Sequence, residues 1–158
     1  MSEDPFTYEP VDVAGLRIGI IAASYNEELT GQLLGATEAT LLAEGLPGES
    51  IKAVRVPGSF EIPVVASVMA QSGEFNAVIA LGVVIAGDTS HHELIGQTTA
   101  KSILDISVAT GVPVINGILT VNSLQQAEDR ITGKNARGAE FAKAALHMGN
   151  LQKDWDPT

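Results

Sequence analysis

The sequence predicts an α/β fold, with helices layered on a narrow four-stranded parallel sheet. Two observations predict it. Apolar runs of strand length alternate with stretches of helical periodicity, in the order strand, helix, strand, helix, strand, helix, strand, helix, helix. The run NAVIALGVVI, Asn76 to Ile85, is apolar throughout, as a central strand covered on both faces must be. Strands in such an order connect by right-handed crossovers.

The elements follow in chain order. Residues 1–15 read as an extended arm, because Pro5 and Pro10 oppose helix. LRIGIIAA, Leu16 to Ala23, is a buried strand. Asn26 is placed to cap the next helix, with Glu27 and Glu28 in the first turn, where negative charge is favoured. Leu29, Leu33, Ala36, Thr37, Thr40 and Leu41 share one face of that helix, and GLPG ends it. SIKAVRVPG, Ser50 to Gly58, alternates like a strand, and a short helix is expected over 61–71. After the apolar strand, a long helix runs over about 90–109. VPVINGIL, Val112 to Leu119, is the fourth strand. Asn122 or Ser123 caps a helix to about Arg130. A last helix over about 135–149 turns Phe141, Ala144, Ala145 and Met148 inward. The domain is expected to span 16–151, with 152–158 as a tail.

Composition narrows the function classes. At 45% hydrophobic and 18% charged, 158 residues suit one globular domain. No cysteine means no disulfide, no thiolate nucleophile and no zinc-thiolate site. A formal net charge of −10 repels nucleic acid. No apolar run reaches membrane-span length, and the acidic start MSEDPFTYEP has no secretory pattern, so a soluble cytoplasmic protein is expected. With so few aromatics, burial relies on small aliphatic side chains, and further apolar surface is expected to be hidden against copies of the chain.

In an open parallel sheet, ligands bind beyond the carboxyl ends of the strands. Here those ends carry Ser24-Tyr25-Asn26, Gly58-Ser59-Phe60-Glu61, Gly87-Asp88-Thr89-Ser90-His91-His92 and Thr120-Val121-Asn122. An aromatic face, amides, hydroxyls, a carboxylate and two imidazoles suit a flat, polar ligand. The GDTS turn fits either a plain helix cap or an anion site at a helix N-terminus; taken alone, the cap is the commoner case. Arg130, Lys134 and Arg137 bring three of the nine cations within eight residues. A cation beside the start of a helix is electrostatically misplaced, which points to a protein carboxylate or a ligand phosphate as its partner, with a solvated charged surface as the equal alternative. Two of the chain's three histidines, His91 and His92, fall at the third strand-to-helix turn, where imidazole suits proton transfer. Metal binding is the weaker reading, since adjacent helical positions diverge and only Glu93 or the distant His147 could join them.

VRVPGSFEIPVVA, IALGVVIAGDTSHHEL, VPVINGILTVNSLQQAEDR and NARGAEFAKAALHMGNL together resemble the 6,7-dimethyl-8-ribityllumazine synthase family, in order from about Arg17 to Leu151. The resemblance implies a flavodoxin-like three-layer sandwich. It implies condensation of 5-amino-6-ribitylaminouracil with 3,4-dihydroxy-2-butanone 4-phosphate, with neither metal nor organic cofactor. It implies assembly into pentamers or sixty-subunit icosahedral shells, with each active site between neighbouring subunits. Riboflavin synthase, which consumes the product, is the implied functional partner. By the same resemblance, Tyr25 stacks on the pyrimidinedione, followed by Asn26. Ser59, Phe60 and Glu61 bind the ribityl chain and ring edge, and Val83, Val84 and Ile85 line the ring pocket. Gly87, Asp88 and Thr89 form the phosphate turn, His91 shuttles protons and Arg130 holds the phosphate. Arg137 falls where the family commonly has a lysine.

The sequence departs from the family pattern at several points. Ala86 replaces a common arginine, His92 a Phe or Tyr, and Asn122 a common Glu. Asn116 stands where the family often has a Phe contributed by the neighbouring subunit. The join RITGKNARG is one residue shorter than is common. These departures carry a competing reading: a lumazine- or flavin-binding relative with little turnover. A shell valued for its cavity is a third reading and is compatible with catalysis.

Overall fold

The structure, a computed structural model, describes residues 6–155. Residues 1–5 of the expected arm and 156–158 of the expected tail lie outside them. Four strands, β1 (Ile18–Ala23), β2 (Ile51–Val56), β3 (Ala77–Ile85) and β4 (Val114–Val121), pair in the order β2-β1-β3-β4, all parallel. Five helices accompany them: α1 (Glu27–Ala43), α2 (Ile62–Gln71), α3 (His91–Thr110), α4 (Leu124–Ile131) and α5 (Gly138–Trp155). This is the expected α/β sandwich with the flavodoxin-like strand order.

The period of two in the strands divides the core into two layers. On one face Ile18, Ile20, Ala22, Ile79 and Leu81 pack against α1, α4 and α5. On the other, Ile21, Val78 and Ala80 pack against α2 and α3. Each fully buried isoleucine of β1 stabilises the fold by on the order of 2 kcal/mol. Within the first layer, α1 presents Leu33, Thr37 and Leu41 as expected, and also Thr30, all buried. The arm lays Val11 and Val13 against the same layer.

Several elements differ from expectation. Asn26 precedes α1 but makes no side-chain cap; its backbone is left-handed, with φ 55° and ψ 51°. Of the two expected cap candidates for α4, Ser123 is the cap, as one of the two readings has it, its hydroxyl accepting from Gln126 N. β4 runs two residues further than the expected strand, to Val121, because its pairing with β3 continues through Ile85. The last helix begins at Gly138 and continues to Trp155. It buries Ala142, Ala145, Leu146 and Gly149; Phe141, Ala144 and Met148 are only half-buried. Gln152 is a buried helical residue, accepting from Asn76 Nδ2 at 2.9 Å, while Asn76 Oδ1 accepts from Arg17 N. That chain of bonds ties the end of α5 to the starts of β1 and β3.

Candidate active site

The strand order reverses direction between β1 and β3, and the carboxyl ends of those two strands open onto a groove of about 670 Å³. Its wall holds Tyr25, Asn26, Ser59, Phe60, Glu61, Val83, Val84, Ile85 and His91. A topological switch point is where a doubly wound sheet leaves room for a ligand. A larger cleft, about 950 Å³, opens at the opposite end of the sheet around Arg17, Phe75 and Trp155. The helix N-termini and their unpaired N–H groups do not point there, so the smaller groove is the functional candidate.

Local structure explains how each wall residue is held. The left-handed backbone of Asn26 turns the chain sharply after β1, and its Nδ2 donates to Val83 O at 2.8 Å, bracing β1 against β3. Asparagine tolerates that conformation better than most residues. Asn26→Ala is expected to cost roughly 2 kcal/mol, combining backbone strain with the lost bond. Asn26→Gly, which relieves only the strain, is expected to cost roughly 1 kcal/mol. Urea midpoints of the two variants check this, and equal losses would mean that strain plays no part.

The PGSFE segment forms a single 3-10 turn, Ser59–Glu61, leading into α2. Gly58 N donates to Glu61 Oε2 at 2.9 Å, and Glu61 N donates back to Gly58 O at 3.1 Å. A Cβ on Gly58 would lie 3.0 Å from Glu61 Oε2 and 3.1 Å from Tyr25 Cδ2, so the glycine lets the carboxylate and the ring approach. Ser59 is buried against β3, where any Cβ on Gly82 would overlap its hydroxyl. Tyr25 and Phe60 are instead 74% and 59% exposed. Two large rings left open beside an aliphatic floor of Val83, Val84 and Ile85 suit stacking on a flat ligand.

His91 opens α3 and lines the groove, and no described residue hydrogen-bonds its ring. Leu94 and Ile95, one turn further along α3, complete the wall. The sequence reading missed both, although their i+3 and i+4 spacing from His91 was the available signal. Gly87, Asp88 and Thr89 lie exposed just before α3. No side chain caps that helix at Ser90. The Thr89 hydroxyl instead accepts from His91 N at 3.4 Å, and Ser90 O accepts from Glu93 N and Leu94 N, so the GDTS turn satisfies part of the first turn of α3, as its cap reading expects.

Residues 87–89 are not part of the groove wall, and three further expected site residues, Asn116, Arg130 and Arg137, do not reach it either. Asn116 is exposed in the middle of β4, a sheet edge among the described residues, with its Oδ1 accepting from Ile118 N. Arg130 is half-buried in the last turn of α4, in the layer across the sheet from α3. Arg137 pairs with Glu140 in the first turn of α5, so its expected anionic partner within the chain is a protein carboxylate. The join that carries these arginines is held on Asp129. Asn135 Nδ2 donates to its carboxylate at 2.6 Å. That bond holds the Asp129 carboxyl below the usual carboxylate range, helped by the N–H groups of Asn135 and Lys134 and the charge of Arg130. Burial and the charge of Glu140 push the Tyr8 hydroxyl up.

Among the described residues, no group of three or more His, Asp or Glu side chains is placed to hold a metal. No helix among them is long and apolar enough to cross a membrane.

Fold and groove together define a flavodoxin-like α/β protein with an open, aromatic-walled groove at the switch point of its sheet. Comparison with known proteins narrows this class. The sequence model for 6,7-dimethyl-8-ribityllumazine synthase matches residues 15–153. The protein of that name from Thermococcus gammatolerans is 44% identical over 139 residues, covering 88% of this chain and 89% of the relative. That from Xylella fastidiosa strain M12 is 41% identical over 139 residues, covering 87% and 90%. The chain belongs to the 6,7-dimethyl-8-ribityllumazine synthase family.

Proposed function

We propose that this chain condenses 5-amino-6-ribitylaminouracil with 3,4-dihydroxy-2-butanone 4-phosphate to 6,7-dimethyl-8-ribityllumazine, releasing phosphate and water. The observation that carries this reading is the groove itself: two open aromatic rings and an unengaged imidazole beside a helix N-terminus at one switch point. Tyr25 and Phe60 stack on the pyrimidinedione, Ser59 and Glu61 bind its edge and ribityl chain, and Asn26 holds the turn between them. Residues 87–89 and the first N–H groups of α3 take the phosphate. The substrate amine attacks the ketone to give a carbinolamine, which loses water to an imine. Phosphate leaves by elimination, and the ribityl-bearing nitrogen then closes the second ring on the remaining carbonyl with loss of a second water. His91 carries protons through these steps. Much of the acceleration comes from holding the two substrates together, and no covalent enzyme intermediate is needed.

Arg130, Arg137 and Asn116 fit this chemistry through a neighbouring copy. Arg130 and Arg137 sit in the layer across the sheet from the groove, and Asn116 on its edge, so each copy supplies these groups to the next copy's groove. Val64, Val68, Leu104 and Val108 support such packing, because α2 and α3 leave them exposed. The assembly we propose is a pentamer in the cytoplasm, with the sixty-subunit shell as the larger form to test and riboflavin synthase as the enzyme that takes the product. Light scattering decides the assembly: a pentamer-sized particle at working concentration would argue against the shell. The activity is tested by following lumazine absorbance with both substrates. A rate above the spontaneous reaction is expected, and none from assembled protein would reject the reading.

A further inference from the structure

The geometry points to His92 as a positioning residue for the phosphate-binding turn, acting through Thr89. The inference rests on the condensation reading above. Adjacent residues on a helix project about 100° apart, so the two rings of the histidine pair do different things. The His91 ring lines the groove, whereas His92 Nδ1 lies 3.3 Å from Thr89 O, on the loop that feeds the helix. A carbonyl oxygen only accepts, so this contact requires Nδ1 to carry the proton. At the same time the His91 N–H faces Thr89 Oγ1 at 3.4 Å. The histidine pair therefore holds the carbonyl and the hydroxyl of Thr89, one through a ring and one through the backbone.

That grip matters because little else fixes the turn. Residues 87–90 are exposed, Gly87 has no heavy atom beyond its chain neighbours within 4 Å of where a Cβ would stand, and Ser90 makes no side-chain cap. An anion site built from backbone N–H groups works only if those groups already point at one place. His92 supplies that order from the first turn of α3, without entering the groove. Its effect falls on the phosphate substrate and not on the pyrimidinedione, which is held by residues on the far wall.

His92→Phe keeps a planar ring and removes the donor, and His92→Asn keeps a short donor without the ring. Steady-state kinetics with each substrate varied separately reads the consequence. In His92→Phe, KM for the butanone phosphate is expected to rise roughly fivefold, the scale of one net hydrogen bond. KM for the uracil and kcat should stay within about twofold. His92→Asn should recover most of the loss. An unchanged KM for the phosphate substrate in His92→Phe overturns the inference. So does a parallel rise of both KM values that Asn does not rescue, since that reports general loosening. A wild-type protein with no turnover instead overturns the condensation reading, and this role of His92 with it, so the two failures are told apart by the wild-type rate.

Discussion

Replacing His91 by alanine is expected to lower kcat for lumazine formation by roughly 10²-fold, the lower range of what a positioned proton carrier contributes. The groove offers no ready substitute. Glu61 already accepts the Gly58 N–H through Oε2, Ser59 is buried against β3, and the floor is aliphatic. His91 brings the one imidazole among these wall residues, and no described residue engages its ring. The variant should retain a rate above the spontaneous reaction, because the stacking rings and the phosphate turn still bring the substrates together. His91→Gln, which keeps polarity but cannot relay a proton, should fall with alanine and not with the wild type. Rates at saturation of both substrates across pH check this. A His91→Ala kcat within about twofold of wild type would move the proton transfers to the substrates and solvent.

The parts of this molecule that were legible in the sequence are those set by local pattern. The apolar run from Asn76 to Ile85 and the alternation of strands and helices lead directly to the parallel sheet, and strand ends such as PGSFE and GDTSHH mark the rim. The errors arise where a distant partner decides. Asn26 looked like a helix cap because Asn serves both as a cap and in left-handed turns; its actual partner, Val83, lies 57 residues away. Gly149 looked like the end of the last helix. It is instead an interior position where α5 passes close to β3, since a Cβ there would sit 3.4 Å from Asn76 Cβ. The carboxylate that engages Arg137 is only three residues away, at Glu140, and this pair could have been read from helical spacing. The separation of Arg130 from His91 could not. Which layer a helix joins depends on crossover geometry, and α4 packs on the face opposite α3.

Gly117→Ala is expected to destabilise the protein by roughly 3 kcal/mol, at the upper end of ordinary overpacking costs. Gly117 lies in β4 opposite Leu81 of β3. A Cβ there would stand 2.6 Å from Ala80 O, 2.6 Å from Leu81 Cδ2 and 3.0 Å from Phe141 Cδ2. A side-chain tip can rotate away, but the Ala80 carbonyl belongs to the sheet and moves only if β3 bends. Gly82 and Val83 follow directly on that strand, one seating Ser59 and the other accepting from Asn26. The strain therefore reaches the groove, and activity should fall along with stability. Gly35→Ala is the control of opposite sign. It sits in α1 with no heavy atom beyond its own helix backbone within 4 Å of its would-be Cβ, so alanine should stabilise by roughly 0.5–1 kcal/mol through helix propensity alone. Denaturant unfolding of both variants, with lumazine formation measured alongside, separates the effects. If Gly117→Ala unfolds like the wild type, β4 can shift away from β3 at little cost, and the groove must be fixed by the β1–β3 brace instead.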